Sequence, residues 1–503
     1  MRREMEYLST RGGSEPVSSA VAIKTGLAPD GGLFVPEFLP EIDLTEAAAA
    51  AAQGYRELAG LILRPFLSDY SDGELGGVIE KAYGGNFDTP EIAPVHLTGE
   101  KMGFLELWHG PTCAFKDLAL QALPHLLKTA VAKTGDRSEI VILVATSGDT
   151  GKAALEGFRD LPGTRVIVFF PDQGVSKIQE RQMTTQEGAN THVVAVEGDF
   201  DKAQAGVKRL FADEELKTAM HRQGMAFSSA NSINWGRLVP QIVYYFWSWF
   251  EGREKGLFAE GEEVNIVVPT GNFGNILAAY YAKQMGLPVH RLVCASNKNN
   301  VLTDFINTGF YDRRRQLYRT ISPSMDILVS SNLERLLFEL VDRDPAAVRG
   351  FMGRLQEEGC YQLGAEAHAR LQEEFWGGFG NDEEAMATIG DVYEKYGYLI
   401  DTHTAVGVKV CRDYREETGD QRPAIIAATA SPFKFTRSVV QAVMGEESCR
   451  GKDDFALLEA LSAFTGEEIP AALRGLREKP VRHRLKTSPE GMKEVTGQIL
   501  GIN

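Results

Sequence analysis

Along the middle of the chain, short runs of consecutive apolar residues alternate with longer stretches in which apolar positions recur at helical spacing. Residues 139–145 (EIVILVA), 165–170 (RVIVFF), 192–196 (HVVAV), 264–268 (VNIVV), 290–295 (HRLVCA) and 424–428 (AIIAA) are such runs. Because they are near-continuous and do not alternate, they predict strands buried on both faces, as in a parallel sheet covered by helices. Helices are predicted over 152–159, 176–187, 201–211, 237–250 and 275–284. Strands alternating with helices predict an α/β fold with crossover connections. In open sheets of this class ligands bind beyond the carboxyl ends of the strands, so chemistry is expected in the loops that leave them.

Composition narrows the picture. The chain has 503 residues, 43% hydrophobic and 24% charged, which is ordinary for a globular protein of roughly two to four domains. A formal net charge of −16 argues against a general nucleic-acid binder, which needs a basic surface to compete for phosphates. An anionic ligand must therefore be held by a local site. Cys113, Cys294, Cys360, Cys411 and Cys449 are odd in number and form no CxxC pair, so no disulfide framework or metal site is indicated and a reducing, cytoplasmic setting is expected. The opening MRREMEYLSTRGG has no apolar signal core, and the apolar stretch 242–250 is too short to span a bilayer, so no targeting or membrane segment is expected.

Four segments carry candidate chemistry. In His109-Gly-Pro-Thr-Cys-Ala-Phe-Lys116-Asp117, a lysine follows a glycine-proline turn among apolar neighbours. An ordinary lysine pKa is ~10.4, and desolvation beside Phe115 and Ala114 would lower it toward an amine that can form a Schiff base; a solvated surface charge is the other reading. Thr146-Ser147-Gly148-Asp149-Thr150-Gly151 follows the 139–145 strand and opens a helix, where exposed backbone N–H groups suit a carboxylate or phosphate or simply cap the helix. This segment is not a P-loop: Thr146 stands where the first glycine belongs, and Ala153 where a hydroxyl should follow Lys152. Pro269-Thr-Gly271-Asn272-Phe273-Gly274-Asn275 follows the 264–268 strand, and its two glycines either allow close approach to an anion at a helix N-terminus or serve a turn with positive φ. The fourth, ATASP with Thr429, ends the last strand and is weak alone.

Together with YLSTRG near the start, GLAPDGGLFV, SSANSINWGRL and ATASPFKF, these segments resemble, in order and along the whole chain, pyridoxal-phosphate enzymes of fold type II, the tryptophan-synthase-β-like class. The family most similar is that of the threonine synthases, in the longer microbial and fungal form, to which NKNNVLTDFINTGFYD and SPSMDILVSSNLERLL also belong. The resemblance implies two open, mostly parallel twisted α/β subdomains around a central cleft, plus a small N-terminal domain. It places an N-terminal domain at 1–95 and a cofactor-binding domain at 96–450. The latter has a smaller subdomain at about 135–250 and an insert at about 296–393, and a helical extension without chemistry is expected at 451–503.

The same resemblance implies residue roles. Lys116 would hold pyridoxal 5′-phosphate covalently and afterwards shuttle protons. Gly271, Asn272, Phe273, Gly274 and Asn275 would cradle its phosphate, and Thr429 would bond its ring nitrogen, a neutral partner suited to elimination. Thr146, Ser147, Gly148, Asp149 and Thr150 would meet the substrate carboxylate, with Asp149 standing where many relatives carry Asn. The implied reaction converts O-phospho-L-homoserine and water to L-threonine and phosphate. It needs a second anion pocket, for which Ser232, Asn234, Arg237, Lys298 and Asn299 are candidates; helix capping and surface charge are the alternatives for the first three. His109 reads as a turn or core residue before a catalytic base, and Arg313-Arg314-Arg315 as a solvated face. An O-phosphohomoserine phospho-lyase, a serine or threonine dehydratase and a non-catalytic ligand-binding relative are the rival readings. A monomer or homodimer is expected.

Overall fold

The computed structural model describes residues 4–173 and 175–502. All six expected strands form, as Glu139–Ala145, Thr164–Pro171, Thr191–Val196, Val264–Pro269, Val289–Ser296 and Ala424–Ala428. They divide between two sheets. The larger has six strands in the order Phe375–Phe379, Val289–Ser296, Val264–Pro269, Ala424–Ala428, Met102–Glu106, Val95–Leu97. All its pairings are parallel except the last, which is antiparallel. The smaller has five parallel strands in the order Leu485–Thr487, Thr191–Val196, Thr164–Pro171, Glu139–Ala145, Met225–Ser228.

Register decides where the loops emerge. Val267 pairs with Ile426, and Ala428 pairs with Glu106, so the carboxyl ends of three neighbouring strands lie side by side. The loops at 270, 429 and 107 therefore open at one edge, as expected for a ligand crevice in an open α/β sheet.

A three-stranded antiparallel sheet of Val17–Ser18, Glu6–Ser9 and Phe34–Pro36 builds the N-terminal region together with four helices. It is packed into the main core: Trp235 is fully buried between Tyr7 and Phe66, with ring centroids 5.5 and 5.6 Å away. The helix expected over 237–250 is two helices, Trp235–Leu238 and Pro240–Glu254. Pro240 falls in the first turn of the second, where its missing N–H costs nothing and its fixed φ favours a new start.

One expectation about the carboxyl-terminal end is corrected. The carboxyl-terminal stretch is not purely helical, because Leu485–Thr487 adds a parallel edge strand to the smaller sheet. Its last helix, Met492–Leu500, buries Met492 and Leu500 against the same layer as Val194 and Phe169. The insert at about 296–393 also contributes to a sheet. It returns Phe375–Phe379 to the edge of the larger sheet beside Val289–Ser296. Both strands escaped the apolar-run criterion, one through two glycines and the other through its shortness and polarity.

Candidate active site

Lys116 opens the helix Lys116–Leu120. The turn before it closes tightly on Asp117, whose carboxylate accepts from Thr112 N–H at 2.8 Å and Thr112 Oγ1 at 2.6 Å. A Cβ at Gly110 would lie 2.4 Å from that of Asp117, so only glycine permits the turn. Phe115 N–H donates to the Thr429 carbonyl at 2.8 Å, and Ser431 N–H to the Cys113 carbonyl at 3.1 Å. The backbone thus zips the Lys116 loop to the Thr429 loop. Thr429 is 5% exposed, and its hydroxyl makes no hydrogen bond among the described residues.

Lys116 is 8% exposed, and its Nζ lies 3.3 Å from Asp149 Oδ2 and 3.5 Å from Ser324 Oγ. Burial is the largest cause of a lowered Lys116 pKa; Asp149 pulls it back up, while the positive charges of Arg237 and Lys434 push it further down. Asp149 opens the helix Asp149–Gly157. Burial alone would push its carboxyl up, but Lys434 and then Lys116 outweigh that and hold it far below the usual carboxylate range. Lys434 Nζ is 2.6 Å from Asp149 Oδ1, and Gln179 Nε2 donates to the same oxygen at 2.8 Å.

Around Asp149, Thr146 Oγ1 accepts from the N–H groups of Gly148 at 3.0 Å and Gly151 at 2.9 Å. Thr146 therefore shapes the loop from within. Gly148 sits at φ 145°, and a Cβ there would stand 2.5 Å from the Gln179 amide. The half-buried hydroxyls of Ser147 and Thr150 make no hydrogen bond among the described residues.

In the segment from Gly271 to Asn275 the residue with positive φ is Phe273, at 64°, and neither glycine. The glycines serve close approach: a Cβ on Gly271 would lie 2.7 Å from the Ser324 carbonyl oxygen. One on Gly274 would press on Asn332 Nδ2 and Ser232 Cβ at 3.3 Å. Phe273 precedes the helix Gly274–Gln284, whose start follows the carboxyl end of the strand Val264–Pro269 and has no side-chain cap for its first N–H groups. Asn275 Oδ1 accepts from the hydroxyls of Tyr244 and Tyr245 at 2.5 Å each, which leaves its buried Nδ2 without a partner.

The SSANSINWGRL segment divides its duties. Asn234 is taken up in structure: Nδ2 donates to the carbonyls of Ile23 and Ser229, and Oδ1 caps Gly236 N–H. Its expected contact with substrate is corrected on that ground, since no donor of the amide is left over. Ser232 Oγ accepts from Asn332 Nδ2 at 2.8 Å and borders Gly274. Arg237 is 5% exposed and donates once, to the Ala230 carbonyl at 2.7 Å, with no carboxylate partner among the described residues. Burial pushes its pKa down to about 10.

The other candidates are engaged elsewhere. Asn299 ties down the insert through Tyr318 and Asp326, so it too is corrected as a substrate ligand. Lys298 lies over the Tyr318 ring at 4.3 Å. His109 bridges Asp88 and Glu106 at 2.6 and 2.8 Å, as a turn residue would. Arg314 and Arg315 pair with Asp312 and Asp304. A cavity of about 590 Å³ lies beside Lys177, Arg181 and Lys486, and none of Lys116, Asp149 and Arg237 lines it.

Several site residues were not singled out by sequence. Lys434 was quoted within ATASPFKF and Ser324 within SPSMD, but neither has a local pattern that distinguishes it from an ordinary polar residue. Gln179, Asn332 and Arg335 were hidden for the same reason.

Comparison with known proteins agrees with this geometry. Residues 6–83 match the threonine synthase N terminus family, 95–352 the pyridoxal-phosphate dependent enzyme family and 404–499 the threonine synthase C-terminal family. A threonine synthase of Pseudomonas aeruginosa is 41% identical over 443 residues, covering 88% of this chain and 91% of that protein. The chain belongs to the threonine synthase family. Pyridoxal 5′-phosphate is the cofactor. The pyridoxal-phosphate-bound threonine synthase of Brucella melitensis superposes with a TM-score of 0.86 at 37% identity and covers 99% of both chains. Human threonine synthase-like 1 is 42% identical over 438 residues, 85% of this chain, and this chain spans only 58% of that protein's length.

The residues present suit that cofactor on structural grounds. A desolvated lysine amine is available for its aldehyde. The Gly271 face that a Cβ would fill, the orphaned Asn275 Nδ2 and the start of the helix Gly274–Gln284 suit its phosphate.

Proposed function

We propose that the chain is a threonine synthase, converting O-phospho-L-homoserine and water to L-threonine and phosphate. The observation that supports this reading is Arg237. A buried guanidinium with one carbonyl partner and no carboxylate is costly unless an anion completes it. The glycine loop offers one anion cradle and Arg237 a second: the charge of Arg237 acts on Lys116, and Gly271 borders Ser324, whose hydroxyl lies 3.5 Å from Lys116 Nζ. A serine or threonine dehydratase would have no use for the second.

When bound, pyridoxal phosphate supplies a conjugated electron sink that spreads the charge left on carbon after a proton is removed. The remaining chemistry belongs to the chain. Lys116 would hold the cofactor through Nζ, and its free amine would take protons from the α and β carbons, return one to the γ carbon as phosphate leaves, and return the other to the α carbon after water adds at the β carbon. Burial, the largest cause of its lowered pKa, favours the neutral amine that these steps require. Arg237 holds the substrate phosphate and stabilises the charge that develops as the C–O bond breaks. Ser147, Thr150 and the N–H groups at the start of the helix Asp149–Gly157 receive the substrate carboxylate. Thr429, with a neutral hydroxyl, would bond the ring nitrogen, and Gly271, Asn272, Phe273, Gly274 and Asn275 would hold the cofactor phosphate.

Product identification with O-phospho-L-homoserine tests the reading. L-Threonine and phosphate in equal amounts support it, whereas 2-oxobutyrate without threonine marks a phospho-lyase and contradicts it.

A further inference from the structure

We propose that Lys434 is a positioning residue of this site: it keeps Asp149 charged and aims one oxygen of that carboxylate at Lys116 and Ser324. The proposal rests on Lys116 being the lysine that carries the cofactor.

Lys434 lies in the short turn Pro432–Phe435, six residues after the end of the strand that leads to Thr429. Its side chain has no exposed surface. A lysine is rarely buried to this degree, and an unpaired charge there would be strongly unfavourable. Its Nζ donates to the Thr112 carbonyl at 2.9 Å and pairs with Asp149 Oδ1 at 2.6 Å. With Gln179 Nε2 on the same atom at 2.8 Å, Oδ1 is fully occupied.

The other oxygen is left for the reaction centre. Oδ2 lies 3.3 Å from Lys116 Nζ and 3.4 Å from Ser324 Oγ. Ser324 is itself fixed from behind, since its N–H donates to His403 Nε2 at 3.2 Å and His403 Nδ1 lies 2.7 Å from Asp401 Oδ2. Two separate anchors, one from the turn Pro432–Phe435 and one from the helix Thr402–Thr418, therefore hold the groups that face Lys116.

The chemistry explains why a second cation is needed. Lys116 must shed its proton to act as nucleophile or base, and whenever it does, Asp149 loses a counter-ion. A buried carboxylate without one takes up a proton. Lys434 has no such duty, and its Nζ stays against Asp149 Oδ1. The other groups that face the pair are neutral Gln179 and Ser324, or act from further out: Arg237 on Lys116, and Asp117 and the Cys113 thiol in the field of Lys434 beyond Thr112. None can replace the lysine as a cation on Asp149.

The test is the absorption spectrum of the cofactor-loaded protein between about pH 5 and pH 9, for wild type, Lys434→Met, Asp149→Asn and the double variant. Removing the cation raises a carboxyl pKa. Lys434→Met is therefore expected to gain a protonation step between about pH 5 and 8 that wild type lacks, with a matching acid loss in kcat and little change in KM. The double variant is expected to lose the step, because no carboxyl remains. A spectrum of Lys434→Met as flat as wild type, or a step that persists in the double variant, overturns the proposal. Should Lys434→Met not fold, recovery of folded protein on adding Asp149→Asn supports action through Asp149, and failure to recover overturns it. If wild type takes up no pyridoxal phosphate, the proposed function fails separately, and the Lys434–Asp149 coupling is read from non-additive shifts in Tm of the unloaded variants. Additive shifts overturn it.

Discussion

Nε of Arg335 donates at 2.9 Å to the backbone carbonyl of Phe34, a residue of the N-terminal sheet. The same guanidinium reaches the Ser232 and Ile233 carbonyls at 3.2 and 2.6 Å and Asn332 Oδ1 at 2.5 Å. Asn332 in turn holds the Asn272 carbonyl at 2.9 Å. One fully buried arginine from the insert thus joins the N-terminal region, the Ser232 segment and the glycine loop. Arg335→Met leaves four acceptors without their donor. A loss of about 3 kcal/mol or more in unfolding free energy is expected, measured by denaturant titration, with a weaker grip on pyridoxal phosphate. An unchanged midpoint would contradict this role.

Arg237→Ala separates the two anion cradles. It is expected to lower kcat/KM for O-phospho-L-homoserine by roughly 100-fold or more, through loss of a buried charged contact in the transition state. The visible absorption of bound cofactor is expected to persist, because the glycine loop is intact. Loss of cofactor binding instead would assign Arg237 to the cofactor phosphate.

Gly271→Ala places a Cβ 2.7 Å from the Ser324 carbonyl, where backbone must move. Affinity for pyridoxal phosphate is expected to fall at least about tenfold, as for displacement of a site by a fraction of an ångström or more. Gly350→Ala is the control. It lies in the helix Pro345–Glu357 with open space around its Cβ, and a gain of about 0.5–1 kcal/mol in stability is expected there.

His109 provides a pH signature. Burial opposes its charge, but Asp88 and Glu106 outweigh that and raise its pKa to about 9. A folded pKa above the unfolded value of about 6.5 means the stabilisation is fully present below about pH 6.5 and is lost as pH rises through about 9. In wild type, Tm is therefore expected to fall across that window by more than in His109→Gln. Equal slopes for the two proteins would contradict it.

How much of this was legible in the sequence depended on whether the signal was local. The buried strands announced themselves because helices on both faces demand continuous apolar runs, and their order alone implied a parallel sheet. Lys116, Gly271 and Gly274 were legible because a tight turn or a close approach leaves few residue choices. Lys434, Ser324 and Arg335 were not. Each is defined by a partner far away in the chain, as Lys434 is by Asp149, and a lysine near a proline looks the same whether it is buried or solvated. Asn234 and Asn299 misled for the converse reason: amides near a predicted site serve caps and loops at least as well as ligands. The edge strands Leu485–Thr487 and Phe375–Phe379 were missed because an edge tolerates polar residues and glycine that a central strand would not.

The most direct measurement is the product formed by the purified, pyridoxal-phosphate-loaded protein from O-phospho-L-homoserine, followed beside Lys116→Ala. L-Threonine and inorganic phosphate in a one-to-one ratio, both abolished by Lys116→Ala, are expected. Release of phosphate with 2-oxobutyrate and no threonine, or turnover that survives Lys116→Ala, would contradict the assignment.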